Sequence, residues 1–185
     1  MIVSEFVTLD GVMEAPGGEP THPHSGWVAD YFGPEVGQYK LDEVLAAESL
    51  LIGRVTYESF AGAWPTRTGE FADKMNSMPK VVVSGTLTDP AWNNTSVLDG
   101  DVVAGVTELK QHDGGPFLVA GSQTLVHTLL DNGLVDELRL MVFPVILGEG
   151  TRLFEGLGRS DLTLTASQHS GSGVAILTYA PASGD

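Results

Sequence analysis

The amino-acid sequence predicts a three-layer α/β/α sandwich on a mixed, mostly parallel sheet with antiparallel strands at its C-terminal end. Three observations lead there. Short apolar runs bounded by turn residues alternate with helical patterns along most of the chain. The last three such runs follow one another with no helical pattern between them. The chain has 185 residues, 42% hydrophobic and 18% charged, which suits a single domain spanning residues 1–185 around one core.

The first run is Ile2–Leu9. Asp10 to Gly26 then reads as a long loop with three prolines and four glycines. A loop of that length inside a compact domain is often functional. Pro34 to Glu48 has helical spacing, with Val36, Tyr39, Leu41, Val44 and Leu45 roughly on one side. Ser49–Ile52 is the next strand, and a short helix is expected after Gly53 with Thr56 as its N-cap. Lys80–Ser84 and Ser96–Leu98 follow as strands, Thr107–Gln111 as a short helix and Phe117–Ala120 as a strand. Ser122 to Asn132 is the clearest helix. Leu125, Val126, Leu129 and Leu130 form its stripe, and Gly133 stops it. Glu137–Val142, Leu162–His169 and Val174–Tyr179 close the list of strands. Between the first two of these, PVILGEGTRLF reads as a turn and edge element in which Gly148 and Gly150 meet backbone needs.

The formal net charge is −15, with nine Lys and Arg in all. Such a field repels phosphate backbones and anionic lipid, which argues against nucleic-acid and membrane partners. A phosphorylated small molecule would need local help from backbone N–H groups and a few placed cations. The absence of cysteine excludes disulfides, thiolate zinc sites and a cysteine nucleophile. The histidines lack carboxylates at a ligand spacing, so no metal site is expected. The chain opens on a strand-like run without the features of a secretory signal, and no stretch is long enough to span a bilayer. A cytoplasmic protein is the expectation.

Three segments have the chemistry of an anion site. In SLLIGRVTYESF a buried strand runs into Gly53, Arg54 and Thr56 at a helix start. Unpaired N–H groups, a fixed cation and a hydroxyl would together suit a pyrophosphate. In FLVAGSQTLVHTLLDNG a strand runs through Ala120, Gly121 and Ser122 into a second helix start, whose small residues permit close backbone approach. In VVVSGTL a strand empties into Ser84, Gly85 and Thr86. Each segment is also good turn or cap chemistry by itself. Two helix starts together favour a dinucleotide, and the residues do not spell the GxGxxG fingerprint. Trp27 and Tyr31, followed by Phe32, would stack on a flat heteroaromatic substrate or serve as an aromatic anchor.

Taken in order, SEFVTLDG, LIGRVTYESF, KVVVSGTL, GPFLVAGSQTLVHTLL and LVDELRLMVFPVILGEGTRLFEG resemble the dihydrofolate reductase superfamily. The resemblance covers nearly the whole chain. It is closest to the reductase half of the bacterial riboflavin-biosynthesis deaminase-reductase. It implies a dihydrofolate-reductase-like fold and an NADPH-dependent reductase, with NADH possible, that passes hydride to a pterin or aminopyrimidine. In the riboflavin branch that substrate is 5-amino-6-(5-phosphoribosylamino)uracil or its close relative. A homodimer formed near the Glu137–Val142 and Val174–Tyr179 strands is also implied.

Carried onto this chain, Gly53, Arg54 and Thr56 would contact cofactor phosphates, as would Ala120, Gly121, Ser122, Gln123 and Thr124. Ser84, Gly85 and Thr86 would lie by the adenosine ribose, and Asp10 and Gly11 would flank the nicotinamide or substrate. Asp10 and Glu35 are the candidate catalytic acids, with Asp30 a rival to Glu35. The basic residue that usually holds a 2′-phosphate is replaced by Gly85, so NADPH is expected still to bind, with only a weak preference over NADH and a strong salt dependence. Without cysteine there is no deaminase zinc site, so a bifunctional enzyme is excluded. A true dihydrofolate reductase and a catalytically silent nucleotide-binding module fit the same motifs.

Overall fold

A computed structural model describes residues 1–182 and gives an eight-stranded sheet in the order β4-β3-β2-β5-β1-β6-β8-β7. The strands are β1 (Ile2–Thr8), β2 (Ser49–Gly53), β3 (Lys80–Val83), β4 (Thr95–Leu98), β5 (Phe117–Val119), β6 (Glu137–Phe143), β7 (Leu162–His169) and β8 (Ala175–Pro181). Helices α1 (Pro34–Ala46), α2 (Arg54–Ala63), α3 (Glu70–Ser77), α4 (Val102–Leu109) and α5 (Gln123–Asp131) connect them, with a 3-10 turn at Trp64–Thr66.

The first six strands pair in parallel, and β8 and β7 are added antiparallel. The expected class is therefore found, with one correction. β6 is not antiparallel: α5 returns the chain across the sheet, so β6 runs alongside β1 from Ile2–Glu137 to Thr8–Phe143.

Both faces of the central strands are covered, which is why they read as near-continuous apolar runs. Val44 of α1, Tyr57 of α2 and Met75 of α3 pack on Leu50, Ile52, Val82 and Leu118. Val106 of α4 and Leu125, Val126 and Leu129 of α5 pack on Val3, Val7, Leu51 and Val119 on the opposite face. A third cluster joins Trp27, Val28 and Val36 to Met141, Phe143 and Ile176.

Three details depart from the sequence reading. The helix after β2 begins at Arg54 with Gly53 as its N-cap, so Thr56 lies inside the first turn. The helix expected at Thr107–Gln111 is α4, which starts at Val102 because the Asp101 side chain accepts a hydrogen bond from the Ala104 N–H (3.0 Å). Finally, β6 and β8 are interior strands, so the open edge on that side is β7, whose eight residues are all exposed.

Candidate active site

The parallel strands all end on the same side of the sheet, and the polar turns of the sequence converge there. β2 ends in Gly53, β3 in Val83 followed by Ser84, β5 in Val119 followed by Ala120, and β1 in Thr8 followed by Leu9 and Asp10. In open α/β sheets this carboxyl edge is where ligands bind.

Two helix starts are locked together there. β2 and β5 are neighbours, so α2 and α5 begin side by side. Gly121 and Ser122 both take left-handed backbone, with φ 64° each. That geometry turns the Ser122 hydroxyl back toward β2, where it accepts a hydrogen bond from the Gly53 N–H (2.8 Å) and shares one with the Thr56 hydroxyl (2.7 Å). There is no room for larger residues at either glycine. A Cβ on Gly53 would lie 2.6 Å from the Ser122 Oγ, and one on Gly121 would lie 2.8 Å from the Thr56 Oγ1. The result is a paired helix N-terminus whose free N–H groups and small side chains suit an anion.

Arg54 is exposed at the first position of α2 and pairs with Glu58 one turn on (2.7 Å). Gln123 donates its amide N–H to the Arg152 carbonyl, and Thr124 is exposed. Ser84 accepts the N–H groups of Thr86 (3.1 Å) and Leu87 (3.0 Å) and so closes the turn around Gly85. The Asp99 carboxylate faces Gly85, 3.5 Å from where a Cβ would stand.

Asp10 occupies a different kind of position. Its Oδ1 accepts from the Thr8 hydroxyl (2.6 Å) and the Leu147 N–H (3.2 Å), and its Oδ2 accepts from the Gly148 N–H (2.8 Å). These bonds, that of Thr8 foremost, hold its pKa down at about 2. Asp10 therefore staples the end of β1 to the loop after β6 and has no proton to give near neutral pH. Gly11, at φ 80°, makes the turn, and its carbonyl accepts the Leu153 N–H (2.9 Å). Glu35 meets the turn that lies beyond the C-terminal end of β6, where Ala175 pairs with Val142. It is exposed at the start of α1 and accepts the Gly171 N–H of the β7–β8 turn.

Trp27 is buried, its ring edge-on to Phe143 (5.3 Å) and its indole N–H donated to the Glu14 carbonyl (2.8 Å). Those contacts make it an aromatic anchor, the second of the two roles its position allowed. Tyr31 also packs on Phe143 (6.3 Å), and Ser172 donates to its carbonyl.

The residues missed by sequence reasoning are Arg152, Glu14, Glu5 and Asp99. Arg152 reaches the Asp10 carbonyl (3.1 Å), the Gly148 carbonyl (3.0 Å) and the Asp10 carboxylate (3.6 Å). Glu14 accepts both the N–H (3.0 Å) and the hydroxyl (3.1 Å) of Thr151, which lowers its pKa. His22 is buried against the same loop, facing the Glu149 carbonyl (3.2 Å) and accepting the His24 N–H (3.0 Å). The Asp10–Gly26 loop and the loop after β6 are thus one bonded rim beside the carboxyl edge. The signal for Arg152 was its place in PVILGEGTRLF, one of nine cations in the chain. The signal for Glu5 was a lone carboxylate inside an apolar strand.

Over 185 residues the chain is 28% identical to the uncharacterized protein YyaP of Bacillus subtilis, covering 97% of this chain and 93% of that one. It is 25% identical to the uncharacterized protein YwjB of the same organism, covering 92% and 91%. A protein from Shewanella sp. PV-4 ascribed to riboflavin biosynthesis has the same fold, with a TM-score of 0.77 at 21% identity over 98% of both chains. So does the deaminase/5-amino-6-(5-phosphoribosylamino)uracil reductase of Thermotoga maritima, with a TM-score of 0.68 at 15% identity. That match spans 98% of this chain and 56% of the bifunctional protein. The model of the RibD C-terminal domain matches residues 1–176, and this chain belongs to that family.

Proposed function

We propose that the chain is an NAD(P)H-dependent reductase that delivers hydride to a pterin or aminopyrimidine, most like 5-amino-6-(5-phosphoribosylamino)uracil. The observation that carries this reading is the Gly53–Ser122–Thr56 lock, which sets two helix N-termini side by side at the carboxyl edge of the sheet. A dinucleotide has two linked phosphates, and the two helix starts offer N–H groups to both. The first N–H groups of α2 and α5 would hold them, on the turns that Gly53, Thr56, Gly121 and Ser122 shape, with Arg54 swinging from Glu58 as the mobile cation. When bound, the nicotinamide supplies the hydride. This chain's residues bind, orient and exclude water: Asp10, Gly11 and Arg152 keep the rim ordered where the reacting ring would lie, and Tyr31 lines the neighbouring wall. Because Asp10 is ionised, the proton that follows the hydride would come from Glu35, from solvent or from the substrate itself.

The same reading extends to cofactor choice. Lys80 is buried with its ammonium on the Met78 (2.8 Å) and Asn93 (2.9 Å) carbonyls, and Arg67 lies over Trp64 (4.6 Å). Neither cation is free to meet a 2′-phosphate beside Gly85, and Asp99 would repel one. Asp99 would instead accept from a ribose hydroxyl, so NADH is expected to bind at least as well as NADPH.

The experiment is calorimetric titration with NADPH and NADH, then oxidation assays against pterins and ribosylaminopyrimidines. Binding of either nucleotide with turnover of one substrate class is expected. Binding without turnover across the panel would leave a nucleotide-binding module. A second copy of the chain is the expected partner, paired along β7.

A further inference from the structure

We propose that Glu5 is a positioning residue of this site: its buried carboxyl holds the Gly121 peptide and thereby sets the left-handed turn on which α5 begins. The inference rests on the dinucleotide reading above and extends it to a group that no motif singled out.

Glu5 lies in mid-β1 among Val3 and Val7, on the sheet face covered by α5, and is 4% exposed. Its Oε2 accepts the Gly121 N–H at 3.1 Å. Its Oε1 is buried and has no hydrogen-bond partner among the described residues. Buried polar atoms without partners are rare and call for an explanation. Gly121 is where the chain needs support, because two successive left-handed residues, Gly121 and Ser122, must hold there without a regular ladder. From Ser122 the geometry passes to Gly53 and Thr56. One carboxyl therefore underpins both helix starts.

The charge state follows from the surroundings. Burial raises the Glu5 pKa to about 8, against the Gly121 N–H and Lys40, which lower it; Glu43 adds to the rise. Lys40 is largely spent on Glu43 and on the Ser4 hydroxyl (3.0 Å). β5 brings no titratable group. On α5 the titratable groups are His127, held at the Leu153 carbonyl (2.6 Å), and Asp131 at the far end. On β6 they are Glu137 and Arg139, and these pair with each other. Near neutral pH the carboxyl is uncharged, and an anion can settle on the loop above it. A carboxylate there would repel that anion, so anion binding and the Glu5 proton are linked.

The test compares wild type with Glu5→Gln, which keeps an acceptor for Gly121 and cannot ionise, and Glu5→Leu, which removes the acceptor. Wild-type affinity for NADPH should fall about tenfold from pH 7 to pH 9, as the uncharged fraction shrinks. Glu5→Gln should bind within about twofold of wild type at pH 7 and lose this dependence, and Glu5→Leu should bind poorly at every pH. An equal fall in Glu5→Gln would overturn the inference, as would wild-type binding by a folded Glu5→Leu. If Glu5→Leu does not fold, the Glu5→Gln comparison decides. If wild type binds no NADPH even at pH 7, the reductase reading fails, and the Gly121 amide resonance of the ligand-free protein decides this one. It should titrate with a midpoint near 8 in wild type and stay flat in Glu5→Gln. A flat wild-type resonance would sink the proposal by itself.

Discussion

Ser122 is one of three non-glycine residues with positive φ among the described residues. Such a backbone costs on the order of 1–3 kcal/mol and persists where the surroundings over-determine it. Here the Gly53 N–H and the Thr56 hydroxyl do so. Ser122→Gly should relieve the backbone strain yet free the Gly53 N–H, so its melting temperature should change little while nucleotide affinity drops. A variant that melts lower and binds normally would contradict this. Arg54→Ala should weaken NADPH binding by about 1–3 kcal/mol, the range of a charge-assisted hydrogen bond. Unchanged affinity in calorimetry would remove Arg54 from the site. Glu5 also has a stability signature. Its folded pKa of about 8 lies above its ordinary 4.5, so the folded state holds the extra proton. Its contribution is full below pH 4.5 and is lost as pH rises through 8. Glu5→Gln should flatten that decline in denaturant titrations, and an unchanged pH slope would show that the carboxyl ionises freely.

At the scale of elements, β7 is the exposed position. All eight of its residues are open to solvent, and Leu162 and Leu164 stand out at 37% and 51% exposure. Unpaired edges with apolar side chains invite a second strand. A dimer in light scattering at micromolar concentration is expected, reduced to monomer by Leu164→Lys; a wild-type monomer would contradict it. The sequence placed the paired strands at β6 and β8, because apolar runs without intervening helices resemble an uncovered edge. What it lacked was the crossover by α5, which buries β6 between β1 and β8. Most elements were legible because their periodicity is local: the α5 stripe and the apolar strands of the sheet center were found to within a residue or two. Helix α3 was not, since Glu70–Ser77 is short and buries only Ala72 and Met75. The polar turns at the ends of β2, β3 and β5 were legible for the same local reason. The Ser122–Gly53 bond and the Asp10 staple were not, because they join residues 69 and 137 or more positions apart.

For the whole molecule, the question is how a chain of net charge −15 would hold a ligand of like sign. Its nine cations are mostly committed. Lys40, Lys110, Arg139 and Arg159 pair with carboxylates, Lys80 is buried on carbonyls, and Arg67 lies over Trp64. Arg54 at the start of α2 and Arg152 on the loop after β6 stand at the carboxyl edge, each beside a carboxylate, so backbone N–H groups must supply most of the local attraction. Long-range repulsion is screened by salt over about 10 Å at 0.1 M. Nucleotide association should therefore quicken as salt rises, while a site built on exposed lysines would slow. The most direct test of the central claim is a paired titration of NADPH and NADH into wild type and Gly121→Ala. Wild type is expected to bind both, NADH at least as well, and Gly121→Ala, whose Cβ would meet Thr56, to lose both while staying folded. Undiminished binding by a folded Gly121→Ala would contradict it, and so would a wild type that binds neither nucleotide.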